Sequence, residues 1–187
     1  MHRQDLLDYL QRYRTRFMDE AAYVRKSIRS IEDNPDIFER QHRPLHVTAS
    51  AWVVNPSKDR VLLVHHGKLH QWFQPGGHAD GDTDVLRVAV REASEESGVD
   101  ESHIRLLSPE VFDVDMHWVP KTPAADAHGH IDIRFLLEVD EQHDTPGNEE
   151  SHEVRWVMLN EVLRYNNNRS TYRMLEKTRR LGQRYWV

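Results

Sequence analysis

Apolar residues recur every three or four positions through Leu6, Leu10, Tyr13, Phe17, Ala21, Val24, Ile28 and Ile31, which predicts helix over residues 1–40. Asn34-Pro35 then supplies the cap and first-turn pair for a short turn holding Ile37 and Phe38. From Leu45 the period changes. Leu45 to Val54 reads as a strand, residues 55–59 as a turn, and Val61 to Val64 as an apolar run suited to a strand buried on both faces. A second turn lies at Gly67-Lys68, and Trp72-Phe73-Gln74 leads into a turn at Pro75. The segment before Gly98 reads as a helix ending at a glycine cap, with Leu86, Ala89, Val90 and Ala93 facing the core.

Beyond this helix the period returns to two. Ile104 to Leu107 starts a strand region, and Val111 to Val119 alternates, with Asp113, Asp115 and His117 opposite Val114, Met116 and Trp118. His130 to Val139 alternates again, setting His130, Asp132 and Arg134 opposite Ile131, Ile133 and Phe135. If the two strands pair, they carry one polar stripe. That stripe is either a wet sheet face or a pocket wall. In the second case Arg134 would hold a phosphate or carboxylate bidentately. Asp115, His117, His130 and Asp132 would line the same wall, with His117, His128 and His130 available to a ligand or a second metal. Glu153 to Val157 reads as a last strand, Leu159 to Tyr165 as a helix start, and Thr171 to Arg184 as a basic helix with a solvated charged face.

Strands mixed with helices give an α/β class, with a helical extension over 1–43 and the main domain over 44–187. The N-terminal stripe fits packing on the chain's own sheet better than a dimer seam or a partner-binding helix, although a homodimer is compatible with it. At 187 residues, with 38% hydrophobic residues, one domain with an appendage is the natural count. No apolar run approaches the length of a membrane span, no secretory signal is visible, and the absence of cysteine agrees with a cytoplasmic protein. A net charge of −6 argues against binding extended nucleic acid but not against a polyphosphate met by a metal ion.

The chemistry gathers before Gly98. At about 100° per residue, Glu92, Glu95 and Glu96 fall within one narrow helical arc. Clustered carboxylates select hard cations such as Mg²⁺, Mn²⁺ or Ca²⁺. An acidic face by itself is more often solvated surface, since like charges at i,i+4 cost only a few tenths of a kcal/mol. The Pro75-Gly76-Gly77 turn at fixed distance ahead of the helix shifts the balance, because glycines let the backbone approach a ligand closely.

The stretch resembles the Nudix box, G-x5-E-x7-R-E-U-x-E-E-x-G-U with U apolar. Gly77 matches the first glycine, Arg91-Glu92 the R-E, Glu95-Glu96 the E-E and Gly98-Val99 the ending. The early glutamate is replaced by Thr83, flanked by Asp82 and Asp84, either of which would bring a carboxylate near. The resemblance extends in strand order over roughly residues 45–160, and implies a Nudix-type α/β/α sandwich on a mixed sheet. It also implies hydrolysis of a nucleoside diphosphate linked to another group, with Mg²⁺ or Mn²⁺ as cofactor. Glu92 and Glu96 would be metal ligands, Glu95 a third ligand or water-positioner, and a carbonyl of Gly76 or Gly77 would complete the set. Arg91 would orient the glutamates, and Glu150 and Glu153 are the candidate general bases. The alternative is a Nudix-like sensor that binds a nucleotide without cleaving it. A zinc site on His65, His66, His70 and His78 is a competing idea, although their spacing lacks a ligand pattern.

Overall fold

Why the N-terminal stripe makes two helices is visible in the computed structural model, which describes residues 2–67, 70–121, 126–148 and 151–181. Helix α1 (Arg3–Arg12) stops at Tyr13, and α2 (Met18–Asp33) starts after Phe17. Both flanking residues are extended, so residues 13–17 turn a corner inside the expected continuous helix. The strands are β1 (Leu45–Val54), β2 (Arg60–His66), β3 (Gln71–Phe73) and β4 (Gly76–His78). Helix α3 (Val85–Ser97) follows, then β5 (Arg105–Leu106), β6 (Asp113–Val119), β7 (His128–Glu138) and β8 (Ser151–Met158). Two helices end the chain, α4 (Val162–Tyr165) and α5 (Arg169–Leu181). The class is α/β with the strands in one sheet. Pairing runs β3-β2-β1-β7-β5, with β4 on β1, β6 on β7 and β8 on β2.

Contacts divide the chain into two interleaved units. The first unit takes residues 1–50, 76–89 and 108–135. In it β6 and β7 pair antiparallel with Asp113 opposite Arg134, Asp115 opposite Asp132 and His117 opposite His130. The two period-two segments therefore build the single polar stripe that their alternation predicts. Glycine 76 pairs with Ser50, where the expected turn after Pro75 is instead the short strand β4. A Cβ on Gly76 would stand 2.7 Å from the Ser50 Cβ and 2.9 Å from the Ala49 carbonyl oxygen, so only glycine fits.

Helix α2 packs on β6, which settles the N-terminal stripe as packing on the chain's own sheet. Its buried stripe is Glu20, Val24, Ser27 and Ile31, with a carboxylate where a hydrophobic residue is expected. The physical reason is an exposed ladder. Strand β6 pairs only with β7 among the described residues, so its outer backbone groups need other partners. Glu20 accepts from the Val114 N–H at 3.0 Å, and the Tyr13 hydroxyl lies 2.7 Å from Glu20 and 2.9 Å from the Phe112 carbonyl.

The second unit takes residues 51–75, 90–107 and 136–187. Strand β8 runs antiparallel along β2 from Met158 opposite Arg60 to Ser151 opposite His66. Trp52, fully buried, donates to Thr178 of α5 at 2.8 Å. Helix α5 was expected to present only a solvated charged face, but Arg173 is 1% exposed beside the buried Met174 and Leu175. Gly98, at φ 78°, ends α3 as a glycine cap, its N–H donating to Ser94 at 2.8 Å.

Replacing Glu20 with Ala removes the acceptor for a buried strand N–H and for two hydroxyls. Unfolding free energy is expected to fall by about 3 kcal/mol in urea denaturation. A loss under 1 kcal/mol would mean that the edge of β6 does not depend on Glu20.

Candidate active site and the polar face of the first unit

Helix α3 buries Val85, Val88, Ala89 and Ala93. The expected core face named Leu86 and Val90, which are only partly buried, so the true face is rotated by about one residue. This phase leaves Glu92, Glu95 and Glu96 off the core. Glu92 is sheltered, with a side chain 15% exposed, and accepts from Arg91 at 2.7 Å. Glu95 is 60% exposed, with Arg91 Nε at 3.9 Å. Arg91 therefore leans on two of the three glutamates, more closely on Glu92 than on Glu95. Glu96 is half-buried. Three carboxylates on one arc offer hard oxygen donors, with Arg91 2.7 Å from Glu92 and 3.9 Å from Glu95. Such a set fits Mg²⁺ or Mn²⁺ and not a soft ion.

At the start of α3 the two aspartates flanking Thr83 are occupied in building the helix. Asp84 accepts from the Arg87 N–H at 3.1 Å, and Asp82 accepts from the Asp84 N–H at 2.9 Å and from the Arg87 guanidinium. They serve as caps, which is a different task from supplying the missing box carboxylate. Glu153 is half-exposed and held by Arg155, whose guanidinium also lies over Trp72 at 5.2 Å and contacts the Tyr165 hydroxyl at 3.1 Å. Glu150 lies outside the described residues.

Around Arg134 the polar stripe of β6 and β7 is neither a wet face nor a phosphate clamp. Arg134 is 3% exposed, and its guanidinium meets Asp132 at 2.7 Å and Asp113 and Asp115 at 3.4 Å each. Burial alone would lower its pKa, but Asp132, then Asp115 and Asp113, more than offset this and hold it above the ordinary value. Asp132 also accepts from Ser50 at 2.8 Å and Thr48 at 3.2 Å on β1. A guanidinium committed to three carboxylates and shut from water is not presented to a phosphate. The expected substrate-binding roles of Arg134, Asp115 and Asp132 are corrected accordingly to one buried ion cluster.

Farther along the same face, the stripe turns to histidine. His46 on β1, His78 on β4, and His128 and His130 on β7 place one ring nitrogen each within 4.8 Å of the others. His117 touches this group from β6, 3.3 Å from His130, and its other nitrogen lies 3.5 Å from Asp115. Of the four histidines expected to compete for zinc, His78 alone enters this cluster. His46 was not singled out by the sequence. It is two residues from Thr48 on β1, and only the pairing of β4 and β7 with β1 reveals its neighbours. Burial, with the neighbouring histidines and Arg43 adding to it, lowers the His46 pKa from 6.5 to about 4, despite its hydrogen bond to the His42 carbonyl. Burial likewise lowers His78 and His130.

Two outcomes follow for this face. Arg134→Ala leaves three buried aspartates without their cation, so a loss of about 3–5 kcal/mol is expected in urea denaturation. A loss under 1 kcal/mol would contradict the ion-cluster assignment. The lowered histidines bind protons more readily unfolded than folded, so their contribution is complete above about pH 6.5 and lost as pH falls toward 4. The urea midpoint of metal-stripped protein is expected to drop between pH 7.5 and 5, less steeply in His46→Gln. Equal slopes in the two proteins would contradict it.

Comparison with known proteins agrees with the box. The NUDIX domain model matches residues 44–178. A Mycobacterium tuberculosis protein named putative 8-oxo-dGTP diphosphatase 3 is 37% identical over 108 residues, which is 55% of this chain and 43% of that protein. The chain thus spans less than half the length of that relative. The phosphatase NudJ of Shigella boydii is 31% identical over 148 residues, covering 75% of this chain and 86% of the relative. Among solved structures, a binary complex of the Caenorhabditis elegans Ap4A hydrolase superposes with a TM-score of 0.60 at 16% identity, covering 73% of this chain and 97% of that one. A Nudix hydrolase from Mycobacterium smegmatis, RenU, gives 0.55 at 20% identity, covering 76% and 88%. These two likenesses speak for the fold. The family model across most of the chain, and the glutamates of α3 within it, assign the chain to the NUDIX domain family.

Proposed function

We propose that this protein is a divalent-cation-dependent pyrophosphohydrolase acting on a nucleoside diphosphate linked to another group. The observation that carries the reading is the acidic arc of α3, kept off the core by the helix phase and ordered by the Arg91–Glu92 contact at 2.7 Å. The names of the relatives, a diphosphatase and a phosphatase among them, support the same reaction class. Glu92 and Glu96 hold Mg²⁺ or Mn²⁺, Glu95 is a third ligand or positions the attacking water, and a carbonyl of Gly76 or Gly77 completes the set by the pattern of the box. When bound, the metal neutralises phosphate charge and lowers the pKa of bound water. Arg91 holds the Glu92 carboxylate through the contact at 2.7 Å. Glu150 and Glu153 stand as the candidate acceptors of the water proton. Glu153 would have to be released from Arg155 to serve.

The test is Glu96→Gln, assayed on a panel of nucleoside diphosphate derivatives with Mg²⁺, with products separated by chromatography. Turnover is expected to fall at least 100-fold, about 3 kcal/mol of barrier. Stability without metal is expected to stay level or rise slightly, because i,i+4 carboxylates repel. Wild-type turnover in the variant would overturn the site assignment. A large loss of stability instead would make Glu96 a structural ion-pair partner. A wild type that binds the panel without cleaving it would favour the nucleotide sensor.

A further inference from the structure

We propose that His46, His78, His128 and His130 form a four-coordinate site for a zinc-class transition metal, built into the first unit and using none of the α3 glutamates. Adjacent strands bring the ligands together. His128 and His130 are two apart on β7 and so share a face, His46 comes from β1, and His78 comes from β4 paired to β1. Their ligand atoms already lie within 4.8 Å of one another. A tetrahedral metal with bonds of 2.0–2.1 Å needs them about 3.4 Å apart. Small ring rotations close that gap.

Hydrogen bonds aim the rings. His128 Nδ1 donates to the Asp126 carbonyl at 2.7 Å, and His46 Nδ1 donates to the His42 carbonyl at 3.2 Å. His130 Nδ1 lies 3.3 Å from His117 Nε2, and His117 in turn stands 3.5 Å from Asp115. In the tautomers these contacts select, Nε2 of His46, His128 and His130 carries the ring's lone pair. His46 Nε2 and His130 Nε2 are buried and have no hydrogen-bond partner among the described residues. Buried nitrogens of this kind call for a partner. Imidazole suits zinc, copper, iron and nickel rather than magnesium or calcium. Burial keeps His46, His78 and His130 neutral near pH 7, which is the ligating form.

Four protein ligands close a tetrahedral shell and leave no position for a reacting water, so the bound metal fastens β4, β1 and β7 and does not hydrolyse. Asp115 and His117 make an outer chain that orients His130, as a carboxylate–histidine relay does behind a metal ligand.

The experiment is a cobalt titration of the full chain after chelator treatment and dialysis, followed by visible absorption, with zinc competition and thermal melts. One equivalent of Co²⁺ is expected to give the intense absorption of a four-coordinate ion, zinc to displace it, and Mg²⁺ to do neither. His46→Gln with His130→Gln should abolish the spectrum. His117→Ala should weaken binding about 10- to 100-fold while keeping the spectrum. Glu92→Gln with Glu96→Gln should leave it unchanged, so the reading does not depend on the proposed hydrolase activity. A folded wild type without the one-equivalent spectrum overturns the site, as it would if water simply bridges the orphan nitrogens. So does a spectrum that survives in the folded histidine variant or vanishes in the glutamate variant. If the double histidine variant does not fold by circular dichroism, His128→Gln gives the same decision, and the wild-type titration stands by itself.

Discussion

A guanidinium shut away from water must be surrounded by carboxylates, and in this protein that requirement organises the polar face of the first unit. Arg134 is buried, and Asp113, Asp115 and Asp132 are its neighbours across and along the β6–β7 ladder. Desolvating one such ion unpaired costs several kcal/mol, so the register of the two strands is tied to this contact as firmly as to any apolar one. The requirement spreads outward. Asp132 draws the hydroxyls of Ser50 and Thr48, Ser50 leaves room beside it only for a glycine at position 76, and Asp115 reaches His117. Where the ladder ends, Glu20 supplies the acceptor that the edge of β6 lacks.

The glutamates of α3 obey the opposite logic. Their side of the helix is kept out of the core and within reach of solvent, as the proposed exchange of a hydrated cation requires. Glu92 is sheltered enough to be fixed by Arg91, while Glu95 stays open. One chain therefore shows two uses of clustered charge. The buried carboxylates are tied to Arg134, Ser50 and Thr48 and are structural, whereas the acidic arc of α3 stays within reach of solvent. A polyphosphate brings further negative charge, which makes a cation at that arc the natural complement.

How much of this the sequence discloses depends on which physical rule each feature obeys. The glycine cap at Gly98 and the alternation of 111–119 and 130–139 are local patterns, and they read correctly as a helix end and two strands. That the polar positions of the two strands share one face follows from period two once the strands pair. Whether that stripe is wet or dry does not, because its polar groups are satisfied by residues distant in the chain, such as Ser50 and Thr48 on Asp132. The histidine cluster hides for the same reason. Strand β4 is two glycines and a histidine, with little intrinsic strand preference, so His78 cannot be placed beside Thr48 before the fold is known. The core face of α3 was missed by about one residue because Val85 and Val88 are as apolar as Leu86 and Val90. The one available hint for Glu20 was its spacing, four before Val24 and eleven before Ile31 on the apolar stripe.

The central claim is that the acidic arc of α3 works through a hard divalent cation. The direct measurement is turnover of an accepted nucleoside diphosphate derivative after exhaustive treatment with EDTA, followed by addition of single metals. The account predicts that chelation abolishes hydrolysis and that Mg²⁺ or Mn²⁺ alone restores it in the wild type but not in Glu92→Gln. Full activity in the chelated protein would contradict it.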